Sequence, residues 1–227
     1  MQKIVKVAFR DTLPVMTGYL VLGFGFGLLL KANGYGMLVA FLMSFLIYAG
    51  SMQYVTVGLL TGGASLITVG ITTLMVNARH LFYGISMVDK YKGTGAKKPY
   101  LIFALTDETY SLVCTDHAEV PPEHRTDYCL LVSVFDHFYW VLGSVLGSLA
   151  GTVLTFNTEG IDFALTALFL TVFVEQWLSS KKHLPALIGV GASLLALVIF
   201  GSENFLIPAM LLIALCLAFY KGGERDA

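Results

Sequence analysis

The chain alternates long apolar runs with short charged punctuation, and the length of each run decides how it reads. Thr12 to Leu30 carries no charge and approaches the roughly 20 apolar residues that a helix needs to cross a bilayer. Asp11 or Thr12 can cap this first helix, Pro14 falls where a missing N–H costs little, and Lys31-Ala32-Asn33-Gly34 closes it. From Ala32 to Ala78 no residue is charged. That run is too long for one crossing and suits two, with a turn at Thr61-Gly62-Gly63. The pattern therefore predicts a second helix over 36–60 and a third over 64–88. Asp89 to Pro99 reads as a solvated loop, and a fourth, less apolar segment covers Tyr100 to Thr115. Beyond the polar connection Asp116 to Asp127, the stretches 128–156, 162–178, 184–201 and 204–220 predict four more helices, followed by a polar tail from Lys221. Met1 to Arg10, with Lys3, Lys6 and Arg10, looks like a secretory leader. The apolar run behind it is long for one and lacks a small-x-small cleavage site, so it is expected to stay as the first span.

The predicted fold is all-α, a polytopic membrane helix bundle of about seven to eight segments forming one transmembrane domain over 1–227. Two halves, 8–88 and 128–201, resemble each other weakly across the joining stretch 89–127. Phe9-Arg10-Asp11 is echoed by Val134-Phe135-Asp136, and Phe45 to Tyr54 by Phe169 to Trp177. Two three-helix units with a linker helix is the arrangement this predicts, with a site between the units as in many secondary transporters. Gly143-x-x-x-Gly147-x-x-x-Gly151 is a small-residue packing seam at one-turn spacing, and Gly23 with Gly27 can form another. If every segment crosses once and the N-terminus is cytoplasmic, eight Lys and Arg lie in inside loops. Five, namely Lys31, Lys90, Lys92, Lys97 and Lys98, lie outside. Cytoplasmic loops are the basic ones, so the total favours an inside N-terminus while the cluster at 90–98 opposes it.

Composition agrees with a membrane protein: 56% of the 227 residues are hydrophobic and 13% charged, with a mean hydropathy of +0.76. A net charge of −1 gives no basic excess to hold nucleic acid. Cys114, Cys129 and Cys216 are odd in number and lack C-x-x-C spacing, so they read as packing residues. There is no G-x-x-x-x-G-K-[ST] loop, H-E-x-x-H pair or G-x-S-x-G elbow. No cofactor, metal site or enzymatic activity is therefore expected.

Charged groups inside apolar segments are costly and usually face a protein interior or a wet cavity. Arg79 and His80 lie within the third segment, Asp107 and Glu108 in the fourth, Asp136 and His137 in the fifth, and Glu175 with Gln176 near the end of the sixth. Arg79 needs a partner, which Asp107, Glu108 or Glu175 can supply. Ala49-Gly50-Ser51-Met52-Gln53 places small residues in mid-helix. That allows either close helix packing or a break whose freed N–H and C=O groups can bind a solute. Breaks are expected near Gly50 and Glu175.

Several of these residues recur in a known order. Leu13-Pro14 with Gly18, Gly23 and Gly27 is followed by Ala49-Gly50-Ser51-x-Gln53. Asn77-Ala78-Arg79-His80-x-x-Tyr83, Thr106-Asp107-Glu108-Thr109 and Gly160-x-Asp162-Phe163-Ala164 come next. This order, spanning about residues 8–220, resembles the AzlC-type large subunit of branched-chain amino acid exporters. The resemblance implies export of valine, leucine and isoleucine across a bacterial inner membrane, with a small multi-span AzlD-type membrane subunit as partner in a hetero-oligomer. A zwitterionic amino acid needs a donor for its carboxylate and an acceptor for its ammonium. Arg79, or N–H groups freed at Gly50 and Ser51, suits the carboxylate; Asp107, Glu108 or Glu175 suits the ammonium. Gln53, Asn77 and Tyr83 complete the expected solute-binding set, and His80, Asp107 or Glu108 is the expected proton-coupling group. Three readings compete: a channel or transporter for another small solute, a membrane-embedded enzyme built on Asp107, Glu108, Asp136 and the histidines, and a scaffold subunit with no solute path of its own.

Overall fold

The computed structural model describes residues 1–153 and 183–225, with residues 170, 173–174 and 177–178 between them. The described residues form helices joined by turns, in two compact units, Met1–Leu165 and Thr166–Ala227. Three of the described helices are long and apolar enough to cross a bilayer: Gln2–Ala32, Pro122–Val153 and Leu184–Gly201.

In the first unit, α1 runs over Gln2–Ala32, beginning nine residues before the expected cap at Asp11. The reason is amphipathic. Lys3, Lys6 and Arg10 stay on an exposed stripe while Ile4, Val7 and Ala8 are buried on the opposite one, so the charged prefix extends the helix. Pro14 accordingly lies inside it. Asn33 and Gly34, the latter at φ +86, close the helix where expected.

The expected second helix does not run through. It consists of α2 (Met37–Leu42), a widened π-turn (Met43–Ile47) and α3 (Gly50–Thr61). Between them Tyr48 sits at φ 47, ψ 47, the left-handed conformation that stops a helix. The chain then doubles back. Gln53 Nε2 donates to Ser44 Oγ at 3.2 Å, although nine residues of continuous helix would separate the two levels by about 13 Å. The Gly62-Gly63 turn, with Gly63 at φ +62, leads to α4 (Leu66–Val76). Helix α5 (Arg79–Met87) continues it across a kink, because Asn77 (φ −93, ψ 4) and Ala78 (φ −55, ψ −30) remain near helical geometry.

The fourth segment also reverses. Helix α6 (Lys98–Phe103) and helix α7 (Asp107–Val113) meet at an extended Thr106 (φ −90, ψ 177). Both ends of this hairpin are at one end of the unit. Lys97 Nζ pairs with Asp127 Oδ1 at 2.5 Å, and Lys90 Nζ donates to the Thr115 carbonyl at 2.9 Å and pairs with Asp116 at 3.2 Å. Arg10 of α1 reaches Glu119 in the same loop at 2.8 Å. Below these contacts lies one apolar cluster that includes Ile4, Val7, Met87, Leu101, Val113 and Cys129. Lys90, Lys92, Lys97 and Lys98 therefore lie at the same end as Lys3, Lys6 and Arg10. The conflict between the 90–98 cluster and the other basic residues therefore comes from the condition that every segment crosses, which the returning hairpins do not meet.

Helix α8 (Arg125–Val153) runs parallel to α1. Phe9 meets Phe135, Gly23 faces Trp140 and Ser144, Gly27 faces Ser144 and Ser148, and Gly151 faces Lys31. The two glycine series predicted as packing seams thus form one seam, each against the other's backbone. Three helical paths traverse the unit (α1, α4–α5 and α8), while α2–α3 and α6–α7 dip in from opposite ends and return.

In the second unit, α9 (Leu184–Asn204) packs on α10 (Leu206–Arg225). Helix α9 departs from helical geometry at Gly201 (φ 73, ψ 170). Gly160 to Ala164 of the family resemblance, and Glu175 and Gln176 of the stretch expected to echo Phe45 to Tyr54, lie outside the described residues, including the break expected near Glu175.

Candidate functional site

The two hairpin tips and the kink of α4–α5 meet, and Arg79 joins all three. Its Nη1 pairs with Asp107 Oδ2 at 2.6 Å, at the start of α7. Its Nη2 donates to Ser51 Oγ at 3.1 Å, in the first turn of α3. Each break has a local cause. Gly50 begins α3 where a Cβ would lie 3.0 Å from the Trp140 ring, so any larger residue would push tip and indole apart by a few tenths of an ångström. Thr106 begins α7 by accepting from the Thr109 N–H at 3.2 Å, a side-chain cap.

The pair is neither sealed nor solvated: the Arg79 and Asp107 side chains are 35% and 29% exposed. Arg79 Nε and Asp107 Oδ1 are buried without a protein partner, so both groups keep bonding capacity. Helix α3 has no side-chain cap, which leaves N–H groups of its first turn available beside Ser51. Tyr83 stands next to Asp107 and Arg79, its ring stacked on Tyr110 with centroids 4.5 Å apart.

The other expected site residues are distributed differently. Asn77 and His80 face a groove of about 480 Å³ that also touches Tyr48, Ala49, Tyr91 and Lys98. It leads from the lysine-rich end to the first hairpin tip, and its volume is in the range of small-ligand sites. His80 Nδ1 lies 3.2 Å from the Asn77 carbonyl. Glu108 turns away from Arg79 and accepts from the Tyr19 hydroxyl at 2.6 Å. Gln53 is fully buried: it accepts from Trp140 Nε1 at 2.9 Å and donates to Ser44. Both of its polar groups are taken up in holding the first hairpin on α8. Glu175 lies outside the described residues. No group of three or more His, Cys, Asp or Glu arranged to hold a metal exists among the described residues.

The structure also gives places to residues outside the expected solute-binding and proton-coupling sets. Asp136 is completely buried and accepts from Thr109 Oγ1 at 2.7 Å. His137 packs against the Tyr48 ring at 4.3 Å and lies 3.0 Å from the Tyr100 hydroxyl. Asp136 carried a usable signal, a carboxylate with no cation in its own apolar run. Tyr19 carried none, being one aromatic residue among many.

Comparison with known proteins gives a consistent picture. Residues 14–154 match the family described as AzlC protein. The chain is 46% identical over 209 residues to the branched-chain amino acid transport protein AzlC of Bacillus subtilis (strain 168), covering 92% of this chain and 82% of that one. It is 45% identical over 208 residues to an uncharacterized membrane protein of Haemophilus influenzae, covering 91% and 84%. To inner membrane protein YgaZ of Escherichia coli (strain K12) it is 26% identical over 227 residues, covering 96% and 92%. No solved structure matches the chain. On the family match and these relatives, the chain belongs to the AzlC family.

Proposed function

We propose that the protein exports branched-chain amino acids across the bacterial inner membrane, coupled to protons and working with a small AzlD-type subunit. The likeness to the Bacillus subtilis transport protein supports the substrate class. The observation that carries the reading is Arg79, which ties the tips of two hairpins from opposite ends through Asp107 and Ser51. An α-amino acid offers the complementary charges. Its carboxylate takes Asp107's place on Arg79 and the freed N–H groups at Gly50 and Ser51, and its ammonium takes Arg79's place on Asp107. The exchange leaves neither charge unpaired, because each ion gives up one opposite charge and gains another. A solute can therefore open the tips without stranding Arg79 or Asp107.

Charge supports the sidedness that export needs. In the first unit Lys3, Lys6, Arg10, Lys90, Lys92, Lys97, Lys98 and Arg125 stand at one end and Lys31 at the other. Basic ends stay cytoplasmic, so the groove past Tyr91 and Lys98 opens to the cytoplasm and serves as the entry for an exported solute.

The test is efflux from cells fed a valine-containing dipeptide. Arg79→Ala and Asp107→Asn should each accumulate valine inside and release it slowly, and a charge-swapped double variant should recover part of the efflux. Unchanged efflux at normal expression in both single variants overturns the reading.

A further inference from the structure

A hydrogen-bonded chain leaves the solute site and ends at a buried carboxylate. Tyr19 of α1 donates to Glu108 Oε2 at 2.6 Å and lies 2.7 Å from Thr106 Oγ1. Thr106 donates to Thr109 Oγ1 at 3.1 Å, and Thr109 donates to Asp136 Oδ2 at 2.7 Å. Four oxygen–oxygen links thus connect two carboxyl groups through three hydroxyls, drawing on α1, the second hairpin and α8.

Proton counting shows what the chain can hold. Three hydroxyls supply three protons for four links. With both carboxylates ionised, one link has no proton and two acceptor oxygens face each other. One added proton completes every link, and it can do so from either end. On Glu108, all bonds point toward Asp136; on Asp136, all point toward Glu108. The two states interconvert when Glu108 gives its proton to Tyr19, Tyr19 to Thr106, Thr106 to Thr109 and Thr109 to Asp136. The net change is one proton moved from one carboxyl to the other.

The surroundings give the two ends different roles. Asp136 is completely buried with Oδ1 unpartnered, and no cation pairs with it among the described residues. An unpaired charge in such a place is expensive. The titratable groups around it are Glu108 on α7, Tyr48 at the first tip, Tyr100 on α6 and the adjacent His137. Glu108 is partly exposed and follows Asp107, the partner of Arg79.

We infer that Glu108 and Asp136 share one transported proton, with Glu108 as the exchange point beside the solute and Asp136 as the protected end. This rests on the transport reading, so its experiment has one arm that does not need transport. In the purified protein, infrared absorption should show a protonated carboxylic acid at neutral pH. That band should be lost in Asp136→Asn or in Glu108→Gln and shifted in Thr109→Val. Absence of the band, or a band unchanged in both carboxyl variants, overturns the inference.

The second arm uses proteoliposomes carrying the protein with any small subunit that co-purifies. An imposed pH gradient should drive leucine accumulation in the wild type and in Thr109→Ser. Asp136→Asn and Thr109→Val should lose at least roughly tenfold of that accumulation while leucine–leucine exchange, which needs no net proton movement, continues near the wild-type level. Gradient-driven accumulation at the wild-type level in both variants overturns the inference, as does loss of exchange together with accumulation. A wild type that carries no leucine would instead refute the substrate reading, and the infrared arm would still decide whether the proton is shared.

Discussion

Gly147→Ala tests the seam that holds α1 to α8. An ideal Cβ at Gly147 would lie 2.7 Å from the Phe24 carbonyl carbon and 2.8 Å from its Cα, and closer still to its oxygen. Carbon–carbon contacts settle at about 3.5 to 4.0 Å, so these backbone atoms must retreat by roughly 0.7 Å or more. Neither partner is a flexible side-chain end, and the whole helix has to move. The same spacing serves Gly23, Gly27 and Gly143, whose Cβ positions also fall on opposing backbone. A gap of 0.5 to 1 Å forfeits about a quarter to a half of each contact's attraction. The expected cost is about 1 to 3 kcal/mol, read as a lower midpoint in thermal or detergent denaturation of the purified protein. Gly18→Ala is the control. It lies in α1 with nothing within 4 Å of the added methyl, so helix propensity alone should stabilise by up to about 1 kcal/mol. Equal midpoints for Gly147→Ala and the wild type would refute close backbone packing as the basis of the seam.

Ser65→Ala removes the side chain that accepts the Thr68 N–H at 3.1 Å at the start of α4. It should cost about 1 kcal/mol and raise hydrogen exchange in 66–69 above that of α8. Gly201→Ala places a side chain at φ 73, ψ 170, a region essentially reserved for glycine, and should destabilise by about 1 to 3 kcal/mol in the same denaturation assay. The Arg10 guanidinium, donating to Glu119, holds that carboxyl below its ordinary value. The clasp is therefore present at neutral pH and lost as acid protonates Glu119 below the ordinary carboxylate range. Hydrogen exchange across 114–124 should rise on acidification, and Arg10→Gln should show that rise already at neutral pH. Finally, in a chain with its three cysteines replaced by serine, single cysteines at Ala96 and Ala118 should react with an impermeant thiol reagent only from the cytoplasm, and one at Thr61 only from outside.

Helix existence and seams were legible because they rest on local pattern. The long apolar runs gave α1, α8 and the α9–α10 pair, and one-turn glycine spacing marked Gly23, Gly27, Gly143 and Gly147 as contacts. The reversals were half legible. Small residues at Ala49-Gly50-Ser51 announced a break, but a break and a reversal share one composition. What separates them is a tertiary fact, the single left-handed Tyr48 backed by His137. The fourth segment's direction was hidden for a similar reason. Its lysines find their acids 26 to 30 residues later, in Lys90–Asp116 and Lys97–Asp127, and no window of hydropathy spans that distance. Arg79's need for a carboxylate could be read from cost alone, whereas the choice of Asp107 over Glu108 depends on which face of a seven-residue helix turns toward α5.

Irregular backbone at membrane depth survives only where protein or water satisfies it, and the two tips meet that condition differently. The first is covered by aromatic rings: Gly50 lies on Trp140, Tyr48 on His137, and Gln53 joins Ser44 to the Trp140 indole N–H. The second is covered by polar side chains, with Thr106, Glu108 and Thr109 bound to Tyr19 and Asp136. The second tip is bonded through two carboxyl groups, whereas the hydrogen bonds of the first, between Gln53, Ser44 and the Trp140 indole, involve none. A proton arriving at Glu108 thus acts most directly on what holds the second tip. Arg79 is the contact common to both, so any difference in their freedom is felt at the one ion pair a solute has to replace. Coupling in this architecture requires the second hairpin to move while the first stays seated on α8. Spin labels at Ala118 and Thr61 should then report proton-dependent distance changes for the second hairpin's loop only, and equal movement at both sites would refute the asymmetry.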